Sequence, residues 1–339
     1  MFKYVLFVSC LFLFSTCVYD TQLLNSTSYD LQLPEGFPMP KVPENNRLTN
    51  ERVALGKKLF YDVGLSIDST VACVSCHKQE FAFADNRALS LGVKGRLGFR
   101  NAPSLANAAY LGRVHKDGGV PHIDFQPLVP IEDEQEMDIN LLALAKRLNA
   151  DPNYAQLFLT AYHDEATPFT ITRAIASFVR TLISGNSKYD QVKHGKARFT
   201  ESEARGKALF FSSRTKCSSC HSSFNFDKEA YENNGLKMDY SKDTGRQRIS
   251  LDKADQGKFR IPSLRNVELT KPYMHDGSLQ TLEEVVEHYD KGGQPHPNKS
   301  LLIRALNLSK QEKTDLIDFL KTLTDDSFIQ NPAYQPDLE

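Results

Sequence analysis

Cys73-Val-Ser-Cys76-His77 and Cys217-Ser-Ser-Cys220-His221 decide how this chain is to be understood. C-x-x-C-H is the attachment pattern of c-type haem. Two thiols at this spacing form thioethers to the two vinyl groups, and the adjacent His is placed to ligate iron from the proximal side. Three other readings compete. One zinc ion held by all four thiolates would leave both following His residues unexplained. A thioredoxin-like pair expects one C-x-x-C on a βαβ pattern, which is missing here. Disulfides within each pair suit an exported protein. The only other cysteines are Cys10 and Cys17, near the N-terminus. Two copies of the full pattern point to two covalent haems c, bound by Cys73, Cys76 and His77 and by Cys217, Cys220 and His221.

The residues around the two motifs repeat as well. Ala54-Leu-Gly-Lys-Lys-Leu-Phe60 precedes the first, and Ala204-Arg-Gly-Lys-Ala-Leu-Phe210 precedes the second. Phe99-Arg-Asn-Ala-Pro-Ser-Leu105 follows the first, and Phe259-Arg-Ile-Pro-Ser-Leu264 the second. Lys116-Asp-Gly-Gly119 and His275-Asp-Gly-Ser278 stand at matching distances beyond the prolines. Each half is therefore one unit built around one haem. The expected fold is mainly α, with two tandem cytochrome c-like haem domains.

Composition narrows the class. Lys plus Arg is 41 and Asp plus Glu is 42 in 339 residues, and Trp is absent. A near-neutral chain without a basic run carries no footprint for nucleic acid. Lys3 followed by the apolar run Tyr4–Phe14 reads as an export signal, because a membrane span needs about 20 apolar residues. Leu13-Phe-Ser-Thr-Cys17 resembles a lipobox, which would make Cys17 a lipid anchor on the periplasmic side. The expected division is a signal peptide over 1–17, an extended Pro-rich tether over 18–45, an N-terminal domain over 46–198 and a C-terminal domain over 199–339.

Local patterns are helical. Thr170 is placed to cap a helix from Ile171 to about Ser184, with Ala174, Ile175, Phe178, Val179 and Leu182 inward. Thr281 and Glu284 form a capping box for a second helix, whose inner face is Leu282, Val285, Val286 and Tyr289 and which Gly292-Gly293 stops. Ser309 and Glu312 cap a last helix with Leu316, Phe319, Leu320 and Leu323 inward.

The repeat also sets the two irons apart. Tyr289 lies fourteen residues after His275, on an inward helical face, and Pro130 lies fourteen after Lys116. A Tyr supplies a phenolate oxygen to iron, and a Pro side chain supplies nothing. The stretch from Lys78 to Arg100 contains neither His nor Met. Haem one thus has no obvious sixth ligand, while haem two has a candidate in Tyr289. An open ferric haem beside an acid/base group activates peroxide; a closed one relays electrons. The acid/base group is expected within Glu132-Asp-Glu-Gln-Glu136, and the residues alone do not choose among these carboxylates.

Taken together, these motifs resemble the bacterial dihaem cytochrome c peroxidase/MauG family over roughly residues 48–325. Ile261-Pro-Ser-Leu-Arg-Asn-Val267 leading to Pro272-Tyr-Met-His-Asp-Gly277 adds to the match. The resemblance implies a peroxidatic haem in the first unit with His77 proximal, and an electron-transfer haem in the second with His221 proximal. It implies Tyr289, rather than Met274, as the sixth ligand of haem two. It makes Glu136 the distal carboxylate, Gln126 the distal amide and Pro130 the residue packed over the open face. It further implies a calcium ion between the haems, held by the Asn101 side chain and the carbonyls of Thr270 and Pro272. Family members often form dimers. One departure matters: the family's inter-haem Trp is Lys116 here.

The function so implied is reduction of hydrogen peroxide to water in the periplasm, with electrons from a small donor such as a cytochrome c or a cupredoxin. One alternative is a MauG-like enzyme that oxidises residues of a partner protein. The other is a non-catalytic dihaem electron carrier, which requires His115 or His122 to reach haem one.

Overall fold

The computed structural model describes residues 27–336, so the expected signal peptide and Cys17, the expected lipid attachment point, lie outside the described residues. In chain order the helices are α1 (Asn50–Tyr61), α2 (Cys73–Cys76), α3 (Leu128–Glu132), α4 (Leu141–Ala150), α5 (Pro152–Tyr162), α6 (Pro168–Arg180), α7 (Lys188–Lys193), α8 (Glu201–Phe210), α9 (Cys217–Cys220), α10 (Gln247–Ser250), α11 (Leu282–Lys291), α12 (Lys310–Lys321) and α13 (Asp326–Ile329). Strands β1 (Tyr231–Glu232) and β2 (Phe259–Arg260) pair antiparallel, Tyr231 opposite Arg260 and Glu232 opposite Phe259. No helix of the described residues is long and apolar enough to cross a membrane.

The repeat becomes two equivalent helix crossings. In the first unit α1 packs on α6 at Gly56, where an added Cβ would stand 1.9 Å from the Ala174 carbonyl oxygen. In the second, α8 packs on α12 at Gly206, where a Cβ would stand 1.8 Å from the Asp315 carbonyl oxygen. Only glycine lets the backbones approach so closely. Beside each crossing lies a cluster of three buried phenyl rings. Phe60 sits 6.0 Å from Phe83 and 5.2 Å from Phe178, and Phe210 sits 5.9 Å from Phe226 and 5.2 Å from Phe319, centroid to centroid. The loops named for Lys116-Asp-Gly and His275-Asp-Gly close through matching bridges, Val114 with Val120 and Tyr273 with Leu279.

Helix boundaries follow their caps, with two corrections. α6 starts at Pro168, and its N-cap is Thr167 rather than Thr170. Thr170 is the third helical residue and pairs back, its hydroxyl accepting from the Thr167 N–H at 2.8 Å. Pro168 favours this start because its missing N–H is one that a first turn leaves unpaired. At α11, Thr281 accepts from the Glu284 N–H, but Glu284 accepts from Gln280 rather than from Thr281, so the box is only half closed. Ser309 and Glu312 form the expected reciprocal box, and Gly292 ends α11 with φ +81.

Two terminal segments depart from the expected division. Within the predicted Pro-rich tether, residues 27–45 form a strap packed on both units. Phe37 lies 4.8 Å from Phe224 of the second unit and 6.2 Å from Tyr110 of the first, and the Tyr110 hydroxyl donates to the Pro38 carbonyl at 2.9 Å. At the other end, α13 and the turn after it return to the first unit. Phe328 and Tyr334 pack on Phe83 at 5.7 and 6.1 Å, and Tyr61 donates to the Tyr334 carbonyl at 2.6 Å. Burial of these aromatic rings outweighs the polar composition around them. A buried polar seam joins the units: Asn107 donates to Asn225 at 3.0 Å, and Asp325 accepts from Ser184, Gly185 and Asn186.

Candidate haem sites and distal pocket

α2 and α9 are single helical turns that carry the two Cys pairs, and all four thiols are free. No group of three His, Cys, Asp or Glu among the described residues is arranged to hold a metal ion. That removes the shared zinc site, and the free thiols remove the disulfides. Past each turn, the ring Nδ1 of the His lies 2.9 Å from a phenylalanine carbonyl, His77 on Phe83 and His221 on Phe226. Each carbonyl belongs to a residue of a buried phenyl cluster, and both residues adopt left-handed backbone, φ +57 and +53. With Nδ1–H so engaged, Nε2 is the nitrogen free for iron. Burial lowers the pKa of both rings, which keeps them neutral as a ligand must be.

Other residues also fit two haems c. Lys116 and Arg260 are half-buried basic groups whose side-chain bonds, among the described residues, go to uncharged groups. Lys116 Nζ donates to Asn101 Oδ1 and to the Met274 carbonyl, each at 3.3 Å, and Arg260 donates to the carbonyls of His115 and Ile261. Burial pushes the Lys116 amine down to about 7. Neither is ion-paired with a carboxylate among the described residues, and haem propionates are carboxylates of the right kind.

On the first unit, the structure separates the acids of the 132–136 stretch. Glu132 accepts from the Leu141 N–H at 3.0 Å and Asp133 from the Gln135 N–H at 2.8 Å, so both are engaged in local turns. Glu134 is exposed. Glu136 is half-buried and its carboxyl accepts no hydrogen bond among the described residues. Burial, with Asp133 adding, raises its pKa to about 7. Its charge also bears on Cys73 and Cys76, which places it beside the first attachment turn. Its backbone is held tightly: Val93 N–H donates to the Glu136 carbonyl at 2.8 Å, and Gly92 leaves no room for a Cβ against residues 135–136.

Gln126 precedes α3 as Glu136 follows it, and its Oε1 is buried without a partner. The segment that carries it is anchored by an ion pair between fully buried Arg180 and Asp124 at 2.7 Å, joined by Asn46 at 2.9 Å. His122 lies 3.1 Å from the same Asp124 carboxylate and is committed there. His115 sits at the seam between the units among Arg100, Asp117 and Arg248.

On the second unit, Tyr289 projects from α11 toward the Cys217–Cys220 turn, and burial raises the pKa of its hydroxyl. The Asn234 side-chain amide reaches it at 3.4 Å. Asn234 follows β1 and belongs to none of the repeated motifs, and no pattern in the sequence singles it out. Between the units, His275 stacks on Phe259 with centroids 4.0 Å apart, and the Asn101 N–H donates to its carbonyl at 3.0 Å.

Of the expected calcium ligands, Asn101 is already engaged. Its Oδ1 accepts from Lys116 Nζ at 3.3 Å, and its Nδ2 donates to the Arg87 carbonyl at 3.1 Å, which fixes that orientation. A calcium ion on the same oxygen would have to displace the Lys116 amine. Thr270 and Pro272 precede Met274, whose carbonyl the same amine also holds.

Comparison with known proteins extends these observations. Residues 50–198 match the sequence model of the di-haem cytochrome c peroxidase family, and residues 203–324 match that of cytochrome c. Methylamine utilization protein MauG of Methylorubrum extorquens is 34% identical over 294 residues, 86% of this chain and 82% of its own. Cytochrome c551 peroxidase of Nitrosomonas europaea is 34% identical over 289 residues, 84% of this chain and 82% of its own. The crystal structure of a MauG-like protein associated with microbial copper homeostasis aligns with a TM-score of 0.86 at 37% identity, covering 91% of this chain and 99% of that one. Likeness at this identity, carried across both halves, is a relationship of sequence as well as of shape: the chain belongs to the di-haem cytochrome c peroxidase family.

Proposed function

We propose that the protein reduces hydrogen peroxide to two waters in its N-terminal unit, using two protons and two electrons from a small donor protein such as a cytochrome c or a cupredoxin. Glu136 carries this reading: a half-buried carboxyl with a pKa of about 7, accepting no hydrogen bond among the described residues and on the side of the first attachment turn. The haem supplies an iron that binds peroxide and delivers electrons to its O–O bond. Glu136 takes the proton from the oxygen nearer iron and returns it to the departing one. Gln126 orients peroxide through its amide, on a segment that the Arg180–Asp124 pair holds still. His77 stays neutral and aligned by its bond to Phe83. In the C-terminal unit His221 and Tyr289 would hold the second haem iron, which would supply the entry point for electrons. Export to the periplasm through residues 1–17, with lipid attachment at Cys17, belongs to the same proposal.

Steady-state oxidation of reduced cytochrome c by peroxide tests it. Glu136→Gln should lower turnover by about 10²–10⁴-fold with both haems intact. Unchanged turnover would remove Glu136 from the mechanism. A second reading, a MauG-like oxidation of residues in a partner protein, is favoured by Tyr289 beside the second attachment turn. Under it, the same assay should show almost no consumption of reduced cytochrome c.

A further inference from the structure

Two donors of opposite chemical character meet near the second attachment turn. Nδ2 of Asn234 lies 3.4 Å from the Tyr289 hydroxyl oxygen and 3.2 Å from the Met274 sulfur, so the two donor atoms are within 6.6 Å of each other. The direction of this amide is set from its other end. Asn234 Oδ1 accepts from the Leu236 N–H at 3.2 Å, and the Asn234 carbonyl lies 3.0 Å from His288 Nε2 on α11. Its N–H end therefore points at the Tyr–Met pair. Met274 is held there by a costly backbone. Its φ is +77, a region that side-chain-bearing L-residues rarely adopt. The loop is pinned on both sides, by the Tyr273 N–H donating to the Leu279 carbonyl at 2.7 Å and by Lys116 on the Met274 carbonyl.

We propose that Met274 is a second axial donor for the iron of the C-terminal haem, exchanging with Tyr289 as that iron changes oxidation state, and that Asn234 is the positioning residue between them. The inference rests on Tyr289 being the axial residue of the ferric state. A phenolate is a hard, anionic donor suited to ferric iron; a thioether is soft and suited to ferrous iron. When the donor protein delivers one electron, the bond from the Tyr289 oxygen to iron opens, that oxygen takes one proton from solvent, and the Met274 sulfur forms the new bond. Oxidation reverses each step. While Tyr289 is bound, the Asn234 N–H gives its oxygen a charge-assisted hydrogen bond. The thioether is only a weak acceptor, so the amide favours Tyr289 in the ferric state.

Anaerobic optical and EPR spectra with spectroelectrochemical titration of the dihaem protein test this without any turnover. Met274→Leu should leave the ferric spectrum intact, yield a five-coordinate ferrous C-terminal haem and shift its potential negative. Tyr289→Phe should keep that haem six-coordinate, with a thioether-to-iron charge-transfer band and a more positive potential; the Tyr289→Phe/Met274→Leu pair should lose both. Asn234→Leu should raise the thioether-bound fraction in the ferric protein. An unchanged N-terminal haem spectrum confirms that each variant is folded. Identical spectra for Tyr289→Phe and the double variant, or an unchanged ferrous spectrum and potential in Met274→Leu, overturn the exchange. A thioether band in the wild-type ferric protein that Tyr289→Phe leaves untouched defeats the Tyr289 assignment itself, and the exchange with it.

Discussion

Lys116 Nζ lies 3.3 Å from Oδ1 of Asn101, joining an amine in the place of the family's inter-haem Trp to the oxygen that was to ligate calcium. The Lys116 amine, which burial pushes down to about 7, thus occupies the oxygen expected to hold calcium. Elemental analysis of the purified protein should find less than one calcium per chain. A calcium chelator should leave haem spectra and thermal midpoint unchanged. A stoichiometric ion whose removal shifts either would contradict this.

Glu136 gives a pH signature. Burial raises its pKa from the carboxylate range to about 7, and the proposed role as proton acceptor requires the ionised form. Turnover with peroxide should therefore rise with pH through about 7 and then level off. In Glu136→Gln that limb should vanish along with most of the rate. A profile that is flat from pH 5 to 8 in the wild type would contradict the assignment.

Gly56 and Gly206 are equivalent points of contact in the two units, each facing a backbone carbonyl that cannot step aside. Replacing either with Ala should cost about 1–3 kcal/mol or more, through forced separation of the crossing helices. Thermal denaturation followed by circular dichroism should show a lower midpoint for each, whereas Ala at Gly98, whose nearest neighbour would be the Ser90 carbonyl at 3.6 Å, lacks this clash.

Phe328 reports on the returning tail. It is buried against Phe83 and Tyr334, so Phe328→Ala should cost about 3–5 kcal/mol. Amide hydrogen exchange should show the loss in α1 and α6 of the first unit, far from the second-unit helices next to it in sequence. Equal loosening of α8 and α12 would argue against this placement.

Much of the architecture was legible because it is periodic or repeated. The Cys pairs, the paired Gly56 and Gly206 stretches and the apolar faces of α6, α11 and α12 all recur at spacings that geometry dictates. The α6 start was misplaced because Thr167 and Thr170 bond to each other, and Pro168 between them decides which is the cap. The strap and the tail were hidden for a different reason. Phe37, Phe328 and Tyr334 are isolated rings in polar stretches, so no periodicity announces their burial. The acidic stretch by itself did not single out Glu136; the family resemblance did, and the fold engages Glu132 and Asp133 in local turns and leaves Glu136 without such a bond. Asn234 carries no pattern at all; only folding brings it to Tyr289.

The return of residues 326–334 to the first unit has a consequence for biosynthesis. Tyr334 donates to the Thr181 carbonyl and receives a bond from Tyr61, so the helix over residues 50–61 is sealed by a residue 273 positions further along the chain. The leading unit therefore cannot close until residues 326–334 have joined it, with Gln79 donating to the carbonyls of Phe328 and Asn331. Through that interval the first Cys pair sits in an incompletely closed shell, accessible to whatever machinery installs the porphyrin.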